Sequence, residues 1–149
     1  MPHTYPYPRP AVTVDVVVLG SYVEDSKSDL EDPHVLLIQR AKEPFKDCWA
    51  LPGGFVDENE DLEAAAKREL LEETNLRAKH IQQVGAFGKP GRDPRGHVVS
   101  IAFVYWSGYI RKVKAGDDAK AAKWFPVRDL PPLAFDHKDI IQAALFNCI

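Results

Sequence analysis

Gly54-Phe-Val-Asp-Glu-Asn-Glu60-Asp-Leu-Glu-Ala-Ala-Ala-Lys-Arg68-Glu69-Leu70-Leu-Glu72-Glu73-Thr-Asn75-Leu76 is the stretch that decides how this chain is read. A glycine turn leads into a segment of helical periodicity. At about 100° per residue, Leu62, Ala65, Ala66 and Leu70 share one apolar stripe. Glu69 and Glu73 fall inside that stripe, and Glu72 falls on its margin. A buried carboxylate costs several kcal/mol unless it is paired or bound to a metal. Carboxylates held together also repel and resist ionisation. A divalent cation answers both difficulties, and an all-oxygen ligand set favours Mg²⁺ or Mn²⁺ over zinc. A helix with an exposed charged face would account for Glu63, Lys67 and Arg68, but not for Glu69 and Glu73 on the apolar side.

The flanks of this segment carry stop and start signals. Asn59 or Asp61 can cap the helix, which is expected to run to about Thr74, and Asn75 is suited to a left-handed residue after it. Upstream, Trp49-Ala-Leu-Pro-Gly-Gly-Phe-Val56 leads into the helix, with a core strand expected near its start. Ala11–Gly20 is a strand rich in β-branched residues, and His34–Arg40 is a second one, apolar on both faces and therefore central. Between them, Ser21 to Pro33 is polar and acidic, as an exposed connection would be. Downstream, a strand is expected over His80–Phe87 and a long one over His97–Gly108. A short strand follows at Trp124-Phe125, then a final helix capped by Asp136 and running to about Phe146. The irregular alternation favours an α/β fold, a mixed sheet covered by helices on both faces. Composition alone leaves several α/β and α+β arrangements open.

Bulk properties set further bounds. The 149 residues suit a single domain over 1–149, and 45% hydrophobic with 28% charged residues is an ordinary globular composition. A net charge of −3 argues against a general nucleic-acid or membrane surface. Cys48 and Cys148 form no disulfide framework and no metal spacing, and Cys48 reads as a small buried hydrophobe. The proline-rich start, Met1 to Pro10, has no apolar core of a signal peptide, and no apolar run reaches membrane-spanning length. The expectation is a cytoplasmic protein.

Gly54, Glu60, Arg68, Glu69, Leu70, Glu72, Glu73 and Leu76 stand at the spacing G-x5-E-x7-R-E-U-x-E-E-x-G-U, with U an apolar residue, and this resembles the signature of the Nudix hydrolases. Asn75 departs from it, standing where the family has glycine. The resemblance implies an α/β/α sandwich and hydrolysis of a nucleoside diphosphate linked to another group. It also implies metal ligation by Glu69, Glu72 and Glu73, joined by a carbonyl of Gly53 or Gly54. Glu72 and Glu73 are then the catalytic centre, and Arg68, one turn before Glu72, orients it. Glu60 either steadies the loop before the helix or joins a second metal site. Family members draw their general base from a box glutamate or from a separate loop acid. Asp118, with Asp117 beside it, occupies such a loop, although the same glycine–aspartate loop also reads as an ordinary solvated turn.

Tyr7–Asp15, Arg92-Asp-Pro-Arg-Gly-His-Val-Val-Ser100 and Leu133-Ala-Phe-Asp-His137 resemble the short ADP-ribose pyrophosphatase branch, with Pro90 and Pro94 bracketing that branch's proline. On that resemblance the substrate is ADP-ribose, cleaved to AMP and ribose 5-phosphate with Mg²⁺ (or Mn²⁺) as cofactor, and a homodimer is implied. Arg92 and Arg95 are the residues expected to bind the substrate, clamping its pyrophosphate or its terminal ribose phosphate. His97 and His137 read as structural. Two other functions remain open at this level. One is a Nudix hydrolase of nucleoside triphosphates or dinucleoside polyphosphates. The other is an ADP-ribose sensor without turnover, disfavoured by the full set of box glutamates and by a chain that runs no further than its last helix.

Overall fold

The computed structural model describes residues 3–22, 31–110 and 119–147. Along the chain come β1 (Ala11–Ser21), β2 (His34–Arg40), β3 (Trp49–Ala50), β4 (Gly53–Phe55), α1 (Leu62–Thr74), β5 (Gln82–Phe87), β6 (Val98–Tyr109), β7 (Ala119–Pro126) and α2 (His137–Asn147). The strands form one mixed sheet in the order β3-β2-β1-β6-β5, with β4 paired to β1 and β7 paired to β2.

β1 organises everything else. It runs parallel to β6 from Ala11↔Val98 to Ser21↔Tyr109. Its other edge is shared: β4 pairs with its first half, from Thr13↔Phe55 to Asp15↔Gly53, and β2 pairs only with Leu19 and Gly20. The edge therefore changes partner between Asp15 and Leu19, bridged by the Val16 N–H donating to the Pro52 carbonyl at 2.9 Å. This split in the sheet is where a cleft opens.

Alternation along β1 divides the core. Val14, Val16 and Val18 pack with Ala65, Ala66 and Leu70 of α1 on one face. Val17 and Leu19 pack with Ile140, Ile141 and Ala144 of α2 on the other. Each fully buried Val, Leu or Ile among them contributes about 1.5–3 kcal/mol. Helix, sheet and helix thus stack as the sequence led one to expect.

The ends of α1 are set locally. Asp61, not Asn59, is the cap: its backbone is extended and its carboxylate accepts the Glu63 N–H at 3.2 Å. Asn59 sits in the preceding turn at φ 61°. Asn75 closes the helix in the left-handed conformation at φ 63°, its N–H reaching the Leu71 carbonyl at 2.9 Å, so it does the work of the family glycine.

Two strands differ from expectation by more than one residue at an end. β5 begins at Gln82, not His80. β7 is longer than Trp124-Phe125, because pairing with β2 from His34↔Pro126 to Arg40↔Ala119 extends a lysine- and alanine-rich segment of weak strand propensity. No helix among the described residues is long and apolar enough to cross a membrane.

Candidate active site

The site starts from two glycines. A Cβ on Gly53 would stand 2.1 Å from the Val14 carbonyl oxygen, and one on Gly54 would stand 2.6 Å from the Glu69 carboxylate. Only glycine lets β4 lie this close to β1 below and to α1 above. That approach brings the Gly53 N–H to the Glu73 carboxylate, which also meets Glu69. Glu73 Oε2 is buried without a hydrogen-bond partner. Burial first, then the Glu69 charge, push the Glu73 carboxyl up to about 9. Burial raises Glu69 as well, against the pull of Arg68. The two carboxyls share a wall on which they cannot both ionise without a counter-charge.

Arg68 supplies part of that charge, though its chief partner is not Glu72. Its Nε and Nη2 grip Glu60 at 2.7 and 2.9 Å, its Nη1 meets Glu69 Oε1 at 2.9 Å, and its Nη2 also donates to the Phe55 carbonyl at 3.1 Å. Both Glu72 oxygens lie at 3.4 Å, and Glu72 is 58% exposed. The expected pairing of Arg68 with Glu72 is therefore one of its weaker contacts, comparable with Asp57 Oδ2 at 3.5 Å. Glu60 also accepts the Asp57 N–H at 3.0 Å, so Arg68 and Glu60 together pin the loop before α1 to the helix. Glu60 is thereby spent on steadying the loop.

The Arg68 guanidinium holds the Glu60 carboxyl down at about 2, from 4.5. Between those values the unfolded chain binds the proton that the folded chain refuses, so Glu60 contributes stability above pH 4.5 that is lost as pH falls toward about 2. Glu60→Gln is expected to flatten that part of the curve. Urea titrations of both proteins across this pH window check it, and parallel slopes would remove the pairing from the stability of the fold.

Basic groups line the same cleft. Arg92 and Arg95 reach the cleft from the 88–97 loop, and Arg40 and Lys42 reach it from the end of β2. The structure separates the two loop arginines. Arg92 is buried, and its Nε and Nη2 donate to Asp136 at 2.9 and 2.6 Å. Its fork is thus committed to tying the loop to the start of α2. Asp136 correspondingly opens α2 with its backbone carbonyl, accepting from Ile140 at 3.3 Å, while its carboxylate serves Arg92 rather than a cap. Arg95 is 42% exposed and is the freer of the two.

Sequence reading missed a third group. Asp15 on β1 and His137 on α2 are buried in the cleft wall, and Ser100 on β6 donates its hydroxyl to Asp15 Oδ2. His137 Nδ1 accepts the Leu51 N–H at 3.0 Å, which puts the imidazole proton on Nε2, 3.5 Å from Asp15 Oδ1. Burial lowers the His137 pKa and keeps the ring neutral. The available signal was Asp15 itself, a lone charge within the valine run of β1. His97 is structural as read, bonded to the Gly88 carbonyl at 3.0 Å. Asp117 and Asp118 lie outside the described residues.

The result is a cleft of about 400 Å³ whose lining includes the acids Glu69, Glu73 and Asp15 and the bases Arg40, Arg92 and Arg95. This is the polarity needed to hold an anion together with a cation. Residues 11–144 match the NUDIX domain model. The chain belongs to the Nudix family. It is 47% identical over 136 residues to the ADP-ribose pyrophosphatase of Methanocaldococcus jannaschii, covering 91% of this chain and 73% of that protein. It is 35% identical over 145 residues to the ADPR responsive transcriptional repressor NtrR of Acinetobacter baylyi, covering 93% of this chain but 54%, about half, of that one. Among solved structures, the NUDIX domain of Shewanella oneidensis NrtR complexed with ADP ribose superposes with a TM-score of 0.85 at 32% identity, over 96% of this chain and 91% of that one.

Nudix hydrolases generally use divalent metal ions, and the donors here fit one. Among the described residues, no three His, Cys, Asp or Glu side chains form a finished metal cage. What the site offers is a partial set: an orphaned buried carboxylate oxygen on Glu73, Glu69 beside it, and glycine backbone close by. Mg²⁺ is commonly held in this way, by one or two carboxylates with water and substrate phosphates completing the shell.

Proposed function

We propose that this Nudix chain hydrolyses ADP-ribose to AMP and ribose 5-phosphate. Water adds to one phosphorus, the bridging P–O bond breaks, and the released oxygen leaves as the second phosphate. Glu69, Glu72, Glu73 and a Gly53 carbonyl would hold Mg²⁺ (or Mn²⁺). Such an ion, when bound, neutralises phosphate oxygens and lowers the pKa of a water. The single observation that carries this reading is the buried, unpartnered Glu73 Oε2 in a cleft also lined by Arg95. That pairing of an orphaned carboxylate with a guanidinium suits a metal–diphosphate complex and has no purpose in a packed core.

The remaining roles follow from position. Arg68 keeps Glu69 and the preceding loop in place. Asp118 is the loop acid we assign as general base, on its place in the sequence alone. Identity to the M. jannaschii pyrophosphatase supports the choice of ADP-ribose, as does the likeness to a NUDIX domain complexed with ADP ribose.

The experiment is a substrate panel. ADP-ribose, diadenosine polyphosphates and nucleoside triphosphates are incubated with the protein and Mg²⁺, and products are separated by chromatography. Selective AMP from ADP-ribose, abolished by chelator, is expected. Preferred turnover of a triphosphate would keep the chemistry and overturn the substrate. The similarity to the A. baylyi repressor supports a second reading, ligand sensing, which would appear as ADP-ribose binding with no product.

A further inference from the structure

Asp93 has the environment of a structural group and the contacts of a functional one. Its side chain is only 2% exposed, yet it is spent on an arginine that is 42% exposed. Asp93 Oδ1 accepts the Arg95 backbone N–H at 2.9 Å and Nε at 3.0 Å, and Oδ2 accepts Nη2 at 2.7 Å. An ion pair to a solvent-facing partner returns little stability, while burying the carboxylate is costly. The arrangement makes sense if it fixes Arg95 for something outside the fold.

The surroundings of the guanidinium point the same way. It lies 5.0 Å from the Phe55 ring and 5.5 Å from the Phe135 ring. Phe135 adopts the left-handed conformation at φ 52°, as does Phe45 at φ 60°, and their rings meet at 4.8 Å. Such backbones are unfavourable for aromatic residues and accumulate around binding sites. Arg40 approaches the same Phe135 ring at 5.1 Å, and its pKa is lowered by burial and then by the Arg95 charge. Two guanidiniums crowded on one ring form a place for an anion. Arg95 Nη1 has no hydrogen-bond partner among the described residues, so one edge of the fork is held and the other is open.

We propose that Asp93 is a positioning residue for substrate binding: it grips Arg95 by the Nε–Nη2 edge so that the Nη1 edge meets the diphosphate entering the cleft. Arg92, locked on Asp136, anchors the loop that carries the pair. This rests on the diphosphate reading above, and it assigns to Asp93 a part that the box motif does not contain.

The test is a double-mutant cycle on the full chain with Asp93→Asn, Arg95→Ala and the pair. With ADP-ribose, each single change is expected to raise KM by about tenfold, the worth of one charge-assisted hydrogen bond, with kcat far less affected. The double variant should be no worse than Arg95→Ala. Isothermal titration with inorganic pyrophosphate in chelator should show the same pattern, and it holds even if ADP-ribose proves the wrong substrate. Additive losses, an unchanged KM for Asp93→Asn, or equal falls in kcat and kcat/KM would overturn the assignment. Should Asp93→Asn fail to fold, Arg95→Lys decides: a lysine keeps the charge but not the fork, so a KM as poor as that of Arg95→Ala is expected. Wild-type KM in Arg95→Lys would show that charge alone suffices and that Asp93 positions nothing of consequence.

Discussion

Glu73→Gln is expected to lower kcat/KM for the diphosphate substrate by about 10³-fold, since metal polarisation supplies several kcal/mol and about 4 kcal/mol corresponds to that factor. The same change should leave the metal-free fold intact or slightly firmer. Gln has the shape of Glu, and in the folded chain the Glu73 carboxyl is buried beside Glu69 with Oε2 unpartnered. With its pKa raised to about 9, the metal-free carboxyl must hold a proton to stay buried at neutral pH, and replacing it by an amide relieves that cost rather than creating one. The separation appears in melting curves. In the wild type, Mg²⁺ at about 100 times its Kd should add roughly 2.7 kcal/mol by mass action, worth about 5–10 °C in Tm for a chain of this length. In Glu73→Gln that gain should vanish, while the Tm in chelator stays at or above the wild-type value. Near-wild-type rates in saturating Mg²⁺ would remove Glu73 from the metal site. A large fall of Tm in chelator would make its role structural.

What the sequence disclosed and what it hid follow from the range of the forces involved. Glu69, Glu73 and Asn75 were legible, and the cap was narrowed to Asn59 or Asp61, because a helix converts spacing directly into geometry and because caps act within a turn. The β-branched run of β1 likewise read as a strand, and the structure shows its alternation placing one set of valines under α1 and the other under α2. The partner of Arg68 was misjudged for a related reason. Helical spacing selects Glu72, whereas the loop folding back over α1 offers Glu60 in a bidentate geometry that spacing does not encode. The pairs that shape the rest of the cleft are more distant still. Arg92 meets Asp136 across 44 residues, and Ser100 meets Asp15 across 85. Nothing local distinguishes Arg92, whose fork is occupied, from Arg95, whose outer edge is open. Strand β7 was underestimated because its extent is dictated by β2, not by its own residues.

The glycine pair allows the two contributions of the turn, to fold and to chemistry, to be pulled apart. In Gly53→Ala the new methyl would meet the Val14 carbonyl oxygen at 2.1 Å, with the Asp15 Cα at 3.0 Å. These are backbone atoms of the central strand and cannot swing aside, so β4 must lift off β1. Overpacking of this kind costs about 3 kcal/mol, or roughly 10 °C in Tm for a chain this long. Activity should collapse with it, because the lifted strand withdraws the Gly53 N–H from Glu73 and any carbonyl from the metal site. In Gly54→Ala the obstacle is instead the tip of Glu69, at 2.6 Å. A side chain can rotate away, so the fold should lose less than about 1 kcal/mol. Glu69 would then leave the wall it shares with Glu73, and kcat should fall by about 10²-fold, as when a charge-stabilising group is displaced. Thermal melts and steady-state kinetics on the two variants check both halves. Equal Tm losses would mean that Glu69 is packed as rigidly as the strand. Full activity in Gly54→Ala would mean that the position of Glu69 does not matter to the reaction.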